Sequence, residues 1–394
     1  MRPLLATDVA CSTASTLAAP TLARLSVEVR RDLELPAADA AAFDELIDAH
    51  PRVGVFVSRA WLSGLFAEPP AGFEPSLVIV RDGHAVRGAV PIAVRESRTH
   101  VRVMLLGGSL GSDRTDLLTG RGFEAACSDA FLAWLGASFG RKGFVLVMRD
   151  VSDRSPLWGA VHRAGSERTL RLVLEPRDIH VLPYLDLTES RAGITSAHTS
   201  NSLEKHRRWL ARRGHLRLDV LRDEGEVLTA FESLVRFLHA RWGGGTDASA
   251  LDHPRLQRFH HHVLPRLLDE GRLRMIRLSV DMRTVAVFYG LAAGGWWGYY
   301  LAGYDREWAG RIHLGRITLE MAIELACQQG AAEFDFLKGA ERVKYLWPVR
   351  ERVTLDADLY SARSGAQLAR ATRATRQAAA ALVKSARTLF EAHR

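Results

Sequence analysis

The chain of 394 residues has little cysteine and no long apolar run. Its three cysteines, Cys11, Cys127 and Cys327, lie far apart without a Cys-x-x-Cys pair, which argues against a disulfide framework and a zinc site. The longest apolar runs, such as residues 144–148, have the length of a strand, so no transmembrane helix is predicted. Asp8 and several hydroxyl side chains interrupt the apolar start of the chain, which disfavours a secretory signal. Together these properties indicate a protein of the reducing cytoplasm.

The excess of positive charge lies mostly at the C-terminal end. Residues 362–394 hold seven arginines and lysines against the single acid Glu391, and the net charge of the whole chain is +8. A basic tail of this kind is open to contact with tRNA or with an anionic membrane. The alternative is an amphipathic helix that packs on the body and leaves a basic face in solvent.

The order of predicted elements is the same in the two halves of the chain. In the first half, two helices precede a hairpin at Asp82-Gly83, and a strand, a helix and a strand follow. The second half repeats this order around a hairpin at residues 281–283. The repeat predicts an α/β (α+β) protein in which each half has a mixed, mostly antiparallel sheet flanked by helices. The expected divisions are a disordered leader at 1–22, domains at 23–180 and 181–361, and a basic helix at 362–394.

The second half contains the most informative stretch. Alternating β-branched and aromatic residues predict strands over 284–291 and 296–304, joined at Gly294-Gly295. A loop then leads to a helix over 316–329, which Gly330 ends. A glycine at a helix start lets a phosphate approach the free backbone amides, and the helix dipole favours the negative charge. The predicted phosphate-binding residues are Arg311, Leu314, Gly315, Arg316 and Ile317.

Four sequence segments of this half resemble a known family. They are "FLHARW" at 237–242, "AGYD" at 302–305, "LGRITLEMAIELACQQG" at 314–330 and "EFDFLKGAERVKYLW" at 333–347. These segments resemble the GNAT acyltransferase superfamily, specifically its CelD/BcsL-like branch of polysaccharide gene clusters, and more distantly the Fem-type transferases. The resemblance implies tandem GNAT-like domains and transfer from acetyl-CoA or another acyl-CoA, without a metal. The implied acceptor is an amine of a sugar or another cell-envelope or glycan precursor.

Acyl transfer to an amine needs a base, a donor to the oxyanion and a proton for the thiolate. Asp305, at the end of the central strand, is the predicted base, or else caps the next turn. Tyr304 offers a phenol as the acid, and the alternative for such a strand aromatic is the core. Asp335 lies in a buried strand and serves either the site or an ion pair. Lys344 resembles the lysine after the last core strand of Fem-type enzymes; otherwise it is an exposed helix lysine.

Four further residues are predicted to line the substrate cleft. His239, Arg241 and Trp242 end a long helix before a flexible glycine triplet, and Tyr300 alternates with Tyr304 along one strand. For His239 the alternative is favourable placement of a cation at a helix end. No nucleophile elbow accompanies these residues, so hydrolysis is not predicted.

Two other functions remain open at this point. The first is a Fem-like transferase that uses aminoacyl-tRNA, suggested by the tandem halves, Lys344 and the basic tail. The second is a non-catalytic scaffold, suggested because His313-Leu314-Gly315 stands where the branch has Ser-Pro-Gly. The first half lacks a glycine-led helix start and is expected to shape the substrate groove. Its glycine-rich loop at 107–120 is alternatively a second ligand site.

Overall fold

A computed structural model describes residues 25–108, 111–166, 171–188, 202–242, 250–309 and 313–375. The predicted leader, the glycine triplet after Trp242, Arg311 and the tail beyond residue 375 lie outside these ranges. Within them, no helix is both long enough and apolar enough to cross a membrane.

The strands of the described chain form one sheet of thirteen strands. The strands are β1 (Leu25–Arg30), β2 (Glu74–Asp82), β3 (Ala85–Glu96), β4 (Val101–Leu105), β5 (Leu118–Thr119), β6 (Phe144–Ser152), β7 (Leu172–Asp186), β8 (Leu216–Val220), β9 (Leu273–Val280), β10 (Arg283–Ala293), β11 (Trp296–Tyr304), β12 (Glu333–Asp335) and β13 (Arg350–Ser361). Their order in the sheet is β1-β2-β3-β4-β6-β13-β7-β12-β11-β10-β9-β8, with β5 beside β3.

Helices pack against this sheet. They are α1 (Ala37–Ala49), α2 (Pro51–Gly54), α3 (Arg59–Ala67), α4 (Glu124–Phe139), α5 (Pro156–Ser166), α6 (Ser202–Ala211), α7 (Glu224–Trp242), α8 (Pro254–Asp269), α9 (Arg306–Ala309) and α10 (Leu314–Gln328). Ser58 caps α3 by accepting from the Trp61 amide at 3.3 Å, and Pro254 occupies the first turn of α8. A further helix starts at residue 364 and is described as far as residue 375.

The predicted repeat of two α/β halves is confirmed. Strands β1 to β4 and β6 form one side of the sheet, and β8 to β12 form the other in the mirrored order. Each side has one parallel pair, β4 with β6 and β11 with β12. Asp150 in β6 and Leu337 just after β12 both adopt φ of 55°. Each half therefore has a residue with positive φ shortly beyond its parallel pair.

Two long strands connect the halves. Strand β13 pairs with β6 of the first half, and β7 pairs with β12 of the second half. The two strands pair with each other from Arg350–Tyr184 to Ser361–Leu172, with one irregularity at Leu355/Ala357. Strand β7 thus runs across the expected domain boundary at 180/181, and each half contributes a strand to its neighbour.

One large hydrophobic core also spans the two halves. It includes Ile47 and Trp61 from the first half together with Phe231, Phe259 and Tyr289 from the second, all less than 3% exposed. Because these side chains interlock, loops from the two halves are held against each other. This arrangement places residues of the first half beside strand β11.

Candidate functional site

The candidate site lies where β11 and β12 separate, and this region, with the loop that faces it, is called the cleft. The two strands pair only from Trp296–Glu333 to Gly298–Asp335, and the turn at Leu337 then takes the chain away. The loop after β4 faces this opening. Tyr300 of β11 donates its hydroxyl hydrogen to the Gly111 carbonyl at 2.7 Å. Residues of both halves therefore meet in the cleft, and a role of the first half in shaping the substrate groove remains a prediction.

Asp113 in this loop is the carboxylate best suited to proton transfer. Burial raises its pKa to about 6, and the Asp150 charge acts in the same direction. The Lys338 charge and backbone N–H, and more weakly Lys344, act against this increase. Asp113 remains half-buried rather than enclosed. A partly accessible carboxyl with a pKa near neutrality is a competent general base.

Lys338 lies between Asp113 and a second group of charges. Its ammonium contacts both carboxylate oxygens of Asp150, at 2.7 and 2.9 Å. Asp150 is 1% exposed, and burial raises its pKa. The ligand atoms of Asp150, His180 and Asp356 lie within 4.8 Å of one another. The Lys338 ammonium already forms an ion pair with Asp150, so it balances the negative charge of this carboxylate.

Lys344 lies in the wall of the cleft but is fully engaged. Its ammonium donates to the carbonyls of Lys338 and Gly339 at 2.9 and 3.1 Å and contacts Glu341 at 2.8 Å. Lys344 is 3% exposed, so the alternative of an exposed helix lysine is wrong. These three contacts match the three hydrogens of an ammonium group. Lys344 therefore fixes the turn at 338–341 and thereby positions Lys338.

A buried set of hydrogen bonds supports the loop from behind. His260 is 1% exposed, and its Nδ1 and Nε2 lie 3.4 and 3.5 Å from the hydroxyls of Tyr289 and Tyr300. Burial lowers the pKa of His260 to about 3, so the ring is neutral at pH 7. Since Tyr300 already donates to Gly111, it accepts from Nε2–H, and Nδ1 accepts from Tyr289. Trp61 adds a bond of 2.8 Å to Ser112, next to Asp113.

Asp335, predicted as catalytic or as an ion-pair member, takes part in a buried ion network. It is 0% exposed and contacts Arg114, with Arg352 at 3.1 Å and the Trp296 indole at 3.2 Å. It also accepts from the Leu337 amide at 2.8 Å. These partners occupy the carboxylate, and the structure favours the ion-pair alternative.

The other two predicted catalytic residues lie at the far end of β11. Asp305 accepts from the Glu307 amide at 3.0 Å and from Arg283 at 2.6 Å, which is the capping alternative. The Tyr304 ring packs against Gly315, where a Cβ atom would come within 2.9 Å of it. Their catalytic roles therefore remain predictions, without a contact to Asp113 in the described residues.

Helix α10 begins at Leu314, two residues before the predicted start at 316, and the residues of its first turn serve packing as well. Leu314 and Ile317 are 0% exposed and join the core beneath the helix. Gly315 is needed for the close approach of Tyr304. Arg316 contacts Glu320 at 2.8 Å, so its charge is already shared with a carboxylate. The first-turn amides of such a helix remain a candidate site for a phosphate.

The predicted substrate-binding residues are separated in space. Only Tyr300 lies in the cleft beside Asp113. His239 contacts Asp252 at 2.9 Å and is 66% exposed, while the Arg241 guanidinium lies 5.7 Å from the Tyr304 ring. The side chain of Trp242 falls outside the described part of the structure. Roles for these three remain predictions.

Comparisons with known proteins agree with this architecture. Residues 197–345 match the family model described as Acetyltransferase (GNAT) domain. The matched segment lies within the second half of the chain and includes strands β8 to β12. No curated protein matches the chain. The narrower CelD/BcsL-like placement remains a prediction.

Two solved structures share the fold of this chain over both of its halves. The crystal structure of FemX has a TM-score of 0.57 at 9% identity and covers 84% of this chain and 96% of its own. L-PGS from Bacillus licheniformis has a TM-score of 0.50 at 12% identity, with coverage of 86% and 96%. At such identities the similarity concerns the fold, which extends over both halves.

Sequence reasoning missed Asp113, Lys338 and His260. The glycine-rich loop around Asp113 was noted only as an alternative ligand site, because a base is recognised by its neighbours and not by a motif. His260 belongs to the histidine triplet at 260–262, whose spacing does not suit a metal site and indicates surface residues, yet its own ring is buried. Its position on the apolar face of α8, next to Phe259, was the available indication.

Proposed function

We propose that the protein is an acyl-CoA-dependent N-acyltransferase acting on an amine of a sugar or another cell-envelope or polysaccharide precursor. The observation that carries this proposal is the cleft carboxylate Asp113, whose pKa of about 6 suits proton transfer near neutral pH. The GNAT match over the second half supports the reaction class. We place the reaction in the cytoplasm, where a cell keeps its acyl-CoA.

Each residue of the cleft is proposed to have its own role in the reaction. The amine attacks the thioester carbonyl carbon, Asp113 accepts the proton that the amine loses, and the C–S bond breaks. The same proton then returns from Asp113 to the departing thiolate, so the carboxylate is regenerated. Tyr300 is not the acid, because burial raises its pKa far above neutrality and its hydrogen is donated to Gly111. Lys338 keeps Asp113 ionised, and Lys344 holds Lys338 in place.

The donor is proposed to bind along the start of α10. The amides of residues 314–317 form the first turn of the helix, where its dipole favours the pyrophosphate of a CoA ester. The Arg316–Glu320 pair leaves these amides, and not an arginine, as the main anion contact. Arg316→Gln is therefore expected to weaken CoA binding only about twofold to fivefold, on the scale of an exposed ion pair.

A Fem-like transferase that uses aminoacyl-tRNA is the second candidate. The observation in its favour is the fold shared with FemX over nearly the whole chain. Against it, the described part of the basic helix uses Arg370 and Arg373 for contacts with Glu175 and Asp358. A gel shift with tRNA at increasing salt tests this candidate, because many phosphate contacts give a steep loss of affinity.

One experiment separates the two donors. Purified protein is incubated with acetyl-CoA and a panel of amino sugars, and free thiol is measured against an enzyme-free blank. A second series replaces acetyl-CoA with aminoacyl-tRNA and measures transfer of the labelled amino acid. Thiol release that depends on an amine supports the acyl-CoA proposal. Transfer from aminoacyl-tRNA alone would replace it with the second candidate, and failure of both series would favour a scaffold.

A further inference from the structure

A second cavity lies in the first half and shares no lining residue with the Asp113 cleft. It has a volume of about 410 Å³ and lies between strands β4, β6 and β13 and the helix that begins at residue 364. This volume is within the usual range of small-molecule sites. The cavity is lined by Arg95, Thr99, His100, Arg102, Val145, Tyr360, Leu368, Ala369, Thr372 and Arg373.

Arg102 is the central charge of this cavity. It is half-buried in β4, and no carboxylate of the described chain forms an ion pair with it. The acid in electrostatic reach is Asp358, which is already bound by Arg149, Arg177 and Arg373 at 2.7, 3.0 and 2.9 Å. A half-buried cation without a partner costs free energy, unless a ligand supplies the opposite charge.

The neighbouring groups make the cavity more positive. Burial lowers the pKa of Arg102, and the charges of Arg373 and Arg95 add to this decrease, against the raising effect of Asp358. Burial also lowers the pKa of His100, as do the charges of Arg102 and Arg95. Arg95 lies over the Phe73 ring at 4.7 Å and forms no ion pair within the described ranges. Two guanidinium groups are thus available to one anion.

The opposite wall of the cavity is apolar. Val145 of β6 lies in the floor, and Leu368 and Ala369 of the last described helix lie above it. Leu368 is 58% exposed, so its side chain offers apolar surface to a ligand at the edge of the cavity. An anionic ligand with an apolar body would satisfy Arg102 with its head and cover Leu368 with its body.

We propose that this cavity is a binding site for an amphipathic anion, with its phosphate or carboxylate head on Arg102 and Arg95 and its apolar body against Val145 and Leu368. The site is independent of the acyl-transfer reaction proposed for the cleft. Guanidinium groups bind both kinds of head, and phosphate offers more acceptors for the two arginines.

Isothermal titration of the full chain tests the proposal. The probes are octyl phosphate and octanoate, with octyl glucoside as the neutral analogue, all below their micelle concentrations. We expect octyl phosphate to bind more tightly than octanoate and at least tenfold more tightly than octyl glucoside. Arg102→Gln should weaken octyl phosphate binding at least tenfold, whereas Arg102→Lys should retain part of it. Leu368→Gln should weaken the octyl probes but not inorganic phosphate.

The matched control is Arg98→Gln, which removes an exposed arginine from the turn between β3 and β4. It should bind octyl phosphate like the unaltered protein. Equal losses in Arg98→Gln and Arg102→Gln would show general charge attraction and overturn the proposal. Equal binding of octyl glucoside and octyl phosphate, or no binding of any probe to correctly folded protein, would overturn it as well. Circular dichroism of each variant establishes that the loss is not due to unfolding.

Discussion

Asp113→Asn is predicted to make the protein more stable at neutral pH. The pKa of Asp113 is about 6 in the folded chain, against an ordinary value of 3.8. Between these values the folded protein keeps a proton that the unfolded chain has released. Ionisation of Asp113 therefore destabilises the folded protein. This destabilisation is absent below about pH 4 and reaches its full size above about pH 6. Asparagine avoids this cost because it carries no charge.

The size of the effect follows from the shift. Each unit of pKa corresponds to about 1.4 kcal/mol, so a difference of about two units gives at most about 3 kcal/mol. Because Asp113 is half-buried and in contact with solvent, we expect about 1–3 kcal/mol at pH 7. Urea denaturation at pH 7.5 and pH 4 measures the free energy of unfolding of both proteins. A gain at pH 7.5 that disappears at pH 4 is the expected result. Equal stability at both values, or a loss at pH 7.5, would refute the electrostatic account of the cleft.

Three further variants test the surroundings of Asp113. Lys344→Met releases the turn at 338–341 and removes a charge that lowers the pKa of Asp113. The acidic limb of the pH profile of kcat/KM should therefore move to higher pH, and an unchanged limb would contradict this expectation. His260→Phe leaves the buried Tyr289 hydroxyl unpaired and should lower the free energy of unfolding by about 1–3 kcal/mol in urea denaturation. Adding Tyr289→Phe should recover part of this loss, whereas additive losses would argue against the hydrogen bond. Asp335→Ala leaves the buried Arg114 without its carboxylate and should cost about 3–5 kcal/mol, so a loss below about 1 kcal/mol would show that Arg114 finds another partner.

Local patterns predicted the elements of the second half well. Strands β10 and β11 and helix α10 each follow a short period of apolar residues, and the turns between them carry glycine. The long strands β7 and β13 were not predicted at their full lengths. Pro176 and Pro183 interrupt the pattern of β7, although the Pro183 carbonyl still accepts from the Phe336 amide at 2.9 Å. Their partners are distant in sequence, and no local period records such pairing.

The residues of the site were predicted only in part, because some of their contacts join distant parts of the chain. Tyr300 was predicted from its alternation with Tyr304 along one strand, and Lys344 from its resemblance to the lysine after the last core strand of Fem-type enzymes. Asp113 required knowledge of which residues of the other half face that turn. The ion pair between Lys338 and Asp150 joins residues 188 positions apart, and only the folded sheet brings them together. A charge pattern along the sequence does not contain this information.

The most direct test of the account is the acyl-transfer rate of Asp113→Asn beside that of Asp116→Asn. Asp116 lies in the same loop, but it is only 8% exposed, and its carboxylate accepts from the Ser155 hydroxyl at 2.5 Å and from the Leu117 amide at 2.8 Å. An asparagine at that position keeps the acceptor oxygen. With whichever donor proves active, the account predicts that Asp113→Asn lowers kcat/KM about 10²–10⁴-fold, the usual contribution of a general base, while Asp116→Asn stays near the unaltered rate. Equal rates for the two folded variants would contradict the assignment of Asp113 as the base.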